Sequence, residues 1–123
     1  MIVDCHGHYT TAPQALWDWR KRQASGEKIS EAALRISDDD IRNSLEQAQL
    51  RLQRERGSNV TFFSPRAGSM EHHVGDAAIS AQWARVQNDL IHRVSTLYPR
   101  NFAPVSDSIH AAIDCAVASS GRG

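Results

Sequence analysis

The chain has 123 residues, of which 41% are hydrophobic and 23% are charged, and its 14 basic and 14 acidic residues give a formal charge of zero. No apolar run approaches the roughly 18–20 residues that span a bilayer, and no basic stripe is present, so neither a membrane nor a nucleic-acid partner is expected. The opening residues lack the features of a secretory signal, and two cysteines are too few for a disulfide framework. These features predict a cytoplasmic globular protein with reduced thiols.

The first predicted elements are a strand and a helix. Residues 1–5 form a short apolar run interrupted by Asp4, which is typical of a buried strand. Pro13 suits the first turn of a helix, because its fixed φ is already helical and its missing N–H is not needed there. Ser25-Gly26 is a plausible end for this helix.

A second helix is predicted between Ser37 and Gly57. Ser37 with Asp40 resembles a capping box, and acidic residues suit the positive end of the helix dipole. Glycine is favoured just after a helix. The apolar positions of this helix recur at spacings of four, three and four, which predicts one buried stripe formed by Ile41, Leu45, Ala48 and Leu52.

The rest of the chain predicts two more strands around a third helix. Residues 59–64 are rich in β-branched and aromatic residues, which predicts the second strand, and residues 101–105 are predicted to form the third. A helix is predicted from about residue 76 to residue 98, with an apolar face of Ile79, Trp83, Val86, Leu90, Val94 and Leu97. Alternating strands and helices at this spacing predict an α/β fold with right-handed crossovers and a parallel sheet.

Polar side chains follow two of the predicted strands. In a parallel α/β sheet, functional groups gather where the strands end, and His6 and His8 follow the first strand while Ser64 and Arg66 follow the second. Residues i and i+2 of an extended chain point the same way, so both imidazoles can address one ion, for which zinc is the best match. Gly7 between them leaves room for the metal or the substrate to approach the backbone. The alternative is that the two histidines only line a polar surface.

Other residues are weaker candidates for the same site. His72 and His73 lie in the loop after the second strand, where substrate contact or proton transfer suits them better than joint metal binding. Arg66 could bind a substrate carboxylate through two hydrogen bonds, although a surface salt bridge is the simpler reading. His92 is predicted to lie on a helix surface or in the core, and His110 has no predicted role.

The chain resembles the 4-oxalomesaconate hydratases, a family of the amidohydrolase-related superfamily, in three segments, which are residues 1–13, 36–40 and 54–67. The resemblance extends from residue 1 to about Val105. The His-x-His pair is shared across the superfamily, whereas the sequences Tyr9-Thr10-Thr11-Ala12-Pro13 and Phe63-Ser64-Pro65-Arg66-Ala67 point to the hydratases in particular.

This resemblance implies a zinc-bearing (β/α)₈ barrel enzyme of aromatic-compound degradation. The reaction is the addition of water to a carbon–carbon double bond of a tricarboxylate, giving 4-carboxy-4-hydroxy-2-oxoadipate. The resemblance implies that His6 and His8 are the first two zinc ligands. A polycarboxylate substrate then gives predicted substrate-binding roles to Arg66, Ser64, His72 and His73.

The length of the chain conflicts with a whole barrel. A (β/α)₈ barrel typically takes about 250 residues, and the family supplies a further histidine and an acidic residue from later strands. We therefore expect residues 1–105 to form the N-terminal part of an amidohydrolase-like barrel, residues 106–123 to be a divergent tail, and the chain to be a truncated and inactive form. Two alternatives stay open: a related decarboxylase or hydrolase of the superfamily, or a non-catalytic metal-binding or interaction module.

Overall fold

The structure is a computed structural model that describes residues 1–66 and 77–105. The predicted loop that contains His72 and His73, and the tail from residue 106 onward, lie outside the described residues. The elements within them, in chain order, are β1 (Val3–His8), α1 (Gln14–Ala24), a 3₁₀ turn (Glu31–Ala33), α2 (Asp38–Glu46), α3 (Gln49–Arg56), β2 (Val60–Ser64), α4 (Ala77–Leu97) and β3 (Phe102–Pro104).

The described strands form one parallel sheet in the order β1-β2-β3. Val3 pairs with Val60 and His8 with Ser64, which places the ends of β1 and β2 side by side. The predicted α/β class and the parallel pairing are therefore confirmed. The ends of the strands, where functional groups were expected, lie at one edge of the sheet.

A single hydrophobic core lies between the sheet and the helices. Phe63 of β2 is fully buried and its ring lies 4.6 Å from that of Phe102 and 5.3 Å from that of Tyr9, measured between centroids. The predicted apolar face of α4 is confirmed, with Ile79 and Leu97 at its margins and four buried residues between them, Trp83, Val86, Leu90 and Val94. Helices α1 and α2 complete the core with Leu16, Trp19, Ile41 and Leu45.

The opposite face of the sheet is not covered by the described residues. Phe62 points away from its buried neighbours Thr61 and Phe63, and 41% of its surface is exposed. Val3 of β1 is 40% exposed. The prediction that residues 1–5 form a buried strand is wrong, because β1 is an edge strand of the described sheet and no layer of described residues packs over its apolar side chains.

The predicted second helix is two helices. Its start is confirmed, because Ser37 and Asp40 form the capping box, each accepting a hydrogen bond from the backbone N–H of the other. The helix breaks at Ala48, which leaves the helical conformation at φ −128° and ψ −93°. After the break Leu50 and Gln53 face inward, while Leu52 of the predicted stripe is 39% exposed.

Side-chain hydrogen bonds explain why α3 turns Gln53, and not Leu52, towards the core. Gln53 Nε2 donates to Thr61 Oγ1 at 2.7 Å and to the carbonyl of Asn101 at 2.8 Å, and Asn101 Nδ2 donates back to Gln53 Oε1. A buried amide needs such partners, and these partners lie at the starts of β2 and β3.

Among the described residues, no helix is both long enough and apolar enough to cross a membrane.

Candidate metal centre

The structure brings the two histidines of β1 together. The Nε2 atoms of His6 and His8 lie 2.9 Å apart, and their rings are almost perpendicular, with centroids 4.5 Å apart. Since two Zn–N bonds of about 2.0–2.1 Å can bridge such a separation, both nitrogens can bind one ion. The i and i+2 spacing predicted this arrangement.

A bulge in β1 sets the direction of both rings. The register with β2 shifts between Asp4 and Gly7, so that one extra residue is accommodated there. The backbone N–H of His6 donates to Asp4 Oδ1 at 3.1 Å, which ties the carboxylate into the bulge. Asp4 therefore shapes the strand on which His6 is mounted.

Gly7 is required for close contact between β1 and β2. A Cβ at this position would lie 2.3 Å from Thr61 Cγ2 and 3.3 Å from the carbonyl oxygen of Phe62. The sequence-based interpretation that Gly7 leaves room for a metal or a substrate is therefore wrong, because the side chain of Thr61 occupies that space. With Gly7 facing Thr61, the side chains of His6 and His8 lie on the other face of the strand.

The second nitrogen of His8 is held by the end of β2. Nδ1 lies 3.1 Å from the carbonyl oxygen of Pro65 and 2.9 Å from Ser64 Oγ. A carbonyl can only accept, so Nδ1 carries the proton and Nε2 keeps its lone pair for a ligand. Histidines that bind metals usually donate their other N–H to a carbonyl or a carboxylate in this way. The pair thus fits zinc in donor type, spacing and tautomer.

The described residues supply two ligands. Within residues 1–66 and 77–105, no group of three or more His, Cys, Asp or Glu side chains is placed to hold one ion. His92 is exposed on α4, which decides between the helix-surface and core positions that the sequence left open. His72, His73 and His110 lie outside the described residues, and so their predicted roles stay predictions.

The remaining predicted site residues lie where β2 ends. Ser64, the last residue of β2, is half-buried and Arg66 is exposed, and Pro65, whose carbonyl contacts His8, lies between them. A cavity of 180 Å³ beside the histidines is lined largely by polar side chains that the sequence reasoning missed, including Asp4, Gln49, Gln53 and Arg56. A larger cavity of 600 Å³, between α4 and residues 31–40, is lined by none of the predicted site residues.

Gln49 anchors the turn that follows His8. It accepts a hydrogen bond from Thr11 Oγ1 at 2.8 Å, and its Nε2 donates to the carbonyl of His8 at 3.5 Å. No periodicity singles out this glutamine, because it follows the helix break at Ala48. The helix break at Ala48 would have drawn attention to Gln49, but the spacing of the apolar residues does not reveal the break.

Tyr9 connects the end of β1 to α2. Its hydroxyl lies 2.5 Å from Ser44 Oγ, and its side chain is buried against Phe63. Burial raises the pKa of Tyr9 from 10.0 to about 12, and the hydrogen bond to Ser44 opposes only part of this shift. The phenol of Tyr9, next to the candidate metal centre, therefore stays neutral well above the pH range in which an exposed tyrosine ionises.

This shift predicts a loss of stability in alkali. The pKa of Tyr9 is higher in the folded chain than in the unfolded chain. The contribution of Tyr9 to the free energy of unfolding is therefore complete below pH 10.0 and is lost as the pH rises towards about 12. The loss amounts to up to about 2–3 kcal/mol. Urea unfolding between pH 9 and 12 should show a steeper decline for the parent chain than for Tyr9→Phe, with Tyr98 present in both as a common background. If the free energy of unfolding fell equally with pH in both chains, the raised pKa could not be assigned to Tyr9.

Comparison with known proteins gives consistent matches. No protein-family model matches the chain. Over 108 residues the chain is 49% identical to 2-keto-4-carboxy-3-hexenedioate hydratase from Sphingobium sp.. The aligned region covers 85% of this chain and 32% of that protein. The crystal structure of 4-oxalomesaconate hydratase from Rhodopseudomonas palustris matches with a TM-score of 0.77 and 48% identity, over 87% of this chain and 33% of that one.

Both names denote hydration of the same small tricarboxylate. The chain spans about a third of the length of each of these two relatives. The resemblance noted in the sequence is thereby confirmed, and its α/β arrangement of three parallel strands is shared with the crystal structure. Over most of its length, the chain is similar to about one third of a 4-oxalomesaconate hydratase.

Proposed function

We propose that this chain carries two of the zinc ligands, His6 and His8, of a hydratase that adds water to 4-oxalomesaconate. The observation that carries the proposal is the 2.9 Å separation of the two Nε2 atoms, with Nδ1 of His8 bound to the carbonyl of Pro65. When bound at such a site, zinc acts as a Lewis acid and lowers the pKa of water, which is the chemistry that a hydration needs.

The substrate class gives Arg66 its proposed role. The product and the substrate are polycarboxylates, and a guanidinium is the side chain best suited to bind a carboxylate in a two-pronged manner. Arg66 is exposed at the end of β2, next to the carbonyl of Pro65 that holds His8. His72 and His73 follow in the same loop of the sequence and are proposed to contact the same substrate.

The uncovered face of the sheet supports a partial barrel as the fold. The exposed Phe62 and the two histidines lie on this face, which would become the interior if further strands closed the sheet into a (β/α)₈ barrel. In this proposal residues 1–105 are the barrel segment, and residues 106–123 are a divergent tail. The third and fourth zinc positions would then come from strands beyond those described.

Zinc binding tests the proposal directly. We expect a zinc titration to show one zinc bound per chain. His6→Ala or His8→Ala should each raise the dissociation constant for zinc by at least about tenfold, because removing even a hydrogen-bond partner of a ligand costs about 10–100-fold in affinity. His92→Ala is the matched control, since it removes an exposed histidine from α4. Equal affinities for the parent chain and both variants would overturn the metal site.

Turnover then separates the hydratase from a non-catalytic metal-binding module. A catalytic zinc site uses three protein ligands and an open position, and the described residues supply two. The 123-residue chain loaded with zinc is therefore expected to leave 4-oxalomesaconate unchanged. Hydration by the chain alone would establish the activity and contradict the expectation that the site is incomplete.

A further inference from the structure

The hydroxyl of Ser64 links the two strands that form the metal centre. Ser64 pairs with His8 in the sheet register. Its Oγ donates to the carbonyl of Gly7 at 3.2 Å and lies 2.9 Å from Nδ1 of His8. The side chain is half-buried, so these contacts are only partly open to replacement by water.

The protons of this network can be placed by elimination. The hydroxyl proton of Ser64 points to the Gly7 carbonyl, which can only accept. A lone pair of Ser64 Oγ therefore faces Nδ1 of His8, which must carry a proton because it also contacts the Pro65 carbonyl. The Nδ1 proton is thus shared between two acceptors, and Nε2 is left unprotonated.

We propose that Ser64 is a positioning residue for His8 rather than a substrate-binding residue. The Pro65 carbonyl requires the proton on Nδ1, and the Ser64 hydroxyl supplies a second acceptor for that proton. The second acceptor holds the rotation of the imidazole, so that the lone pair of Nε2 points towards His6. This inference rests on the proposed zinc site and departs from the substrate-binding role predicted for Ser64 from its position at the end of the second strand. The hydroxyl proton and one lone pair are used within the protein, which leaves little capacity for a ligand.

Zinc affinity tests the role of the hydroxyl with a pair of variants of equal shape. Threonine keeps the hydroxyl and valine replaces it with a methyl group, and both are well suited to a strand. We expect the dissociation constant for zinc to rise about tenfold or more in Ser64→Val and Ser64→Ala, whereas Ser64→Thr stays close to the parent. Ser95→Ala, the same kind of change on α4, should have no effect.

The tautomer of His8 provides a second readout that a purely structural role would not change. In zinc-free protein, long-range ¹H–¹⁵N spectra should show His8 protonated at Nδ1 in the parent and in Ser64→Thr. In Ser64→Val and Ser64→Ala the share of the Nε2-protonated tautomer should rise, because one of the two acceptors of the Nδ1 proton is lost while the Pro65 carbonyl remains. Far-ultraviolet circular dichroism identifies any variant that does not fold, and the remaining variants still decide the matter.

The outcomes separate this inference from the proposed function. If His8→Ala abolishes zinc binding while Ser64→Val changes neither the affinity nor the tautomer, the role of Ser64 is refuted and the zinc site stands. If the parent chain binds no zinc, the zinc site fails. The tautomer comparison then still supports or refutes the control of His8 by Ser64.

Discussion

Replacing Gly7 by alanine is expected to destabilise the fold by about 2–3 kcal/mol and to weaken zinc binding in the same variant. The added Cβ would lie 2.3 Å from Thr61 Cγ2, whereas carbon atoms pack best at about 3.5–4.0 Å. Unless Thr61 changes rotamer and gives up the hydrogen bond between its hydroxyl and Gln53, strands β1 and β2 must move apart by about 1 Å. That movement also separates His8 from Ser64 and from the Pro65 carbonyl, which join the same two strands.

A double substitution shows whether this clash is the cause. Thr61→Ser removes the γ-methyl group and keeps the hydroxyl that accepts from Gln53. Gly7→Ala combined with Thr61→Ser should be more stable, by about 1–2 kcal/mol, than the sum of the two single changes predicts. Urea unfolding of the four chains measures the coupling. Strict additivity would show that the contact with Thr61 is not what excludes a side chain at position 7.

Phe63→Ala should cause the largest loss of stability, about 3–5 kcal/mol. Phe63 is fully buried and contacts the rings of Tyr9 and Phe102, so its removal leaves a cavity at the junction of β1, β2 and β3. For a domain whose total stability is about 5 kcal/mol, the lower end of the usual range, this loss leaves at most about 2 kcal/mol, and part of the population unfolds. The free energy of unfolding in urea and the change in melting temperature both report it.

The neighbouring residue supplies the matched control. Phe62 is the same residue type in the same strand, but 41% of its surface is exposed. Phe62→Ala should therefore cost only about 1 kcal/mol in the isolated chain. Equal losses at the two positions would contradict the assignment of the faces of β2, and would indicate that a further layer covers Phe62.

Much of the fold follows from patterns that are local in sequence. The face of α4 is predicted by its apolar spacing, because a long helix packed on one side repeats that spacing over several turns. The start of α2 is equally local, since Ser37 and Asp40 cap it within one turn. Parallel pairing follows from the alternation of strands and helices, which leaves few other topologies.

Features that depend on tertiary contacts could not be read in this way. The break at Ala48 turns Gln53 inward towards Thr61 and Asn101, and the apolar spacing around Leu52 indicates the opposite face. The exposure of Val3 depends on its strand being at the edge of the sheet. Neither fact is contained in the residues of the segment itself.

The candidate metal centre is likewise only partly predictable from the sequence. The His6 and His8 pair is visible in sequence because two residues separated by one share a face. The contacts that orient His8 come from Ser64 and Pro65, which are 56 and 57 positions away. They can be assigned only when the register between β1 and β2 is known, and the same register reveals why position 7 must be glycine.

The contact between His8 and Pro65 affects how this site tolerates change over evolution. The acceptor is a main-chain oxygen, and every amino acid that could replace Pro65 retains it. Point mutations at that codon therefore leave the acceptor group in place, whereas a single nucleotide change can remove the hydroxyl of Ser64. A library of all single substitutions would accordingly show that position 64 is sensitive to change. It would not reveal that the main-chain oxygen at position 65 also orients the ring of His8.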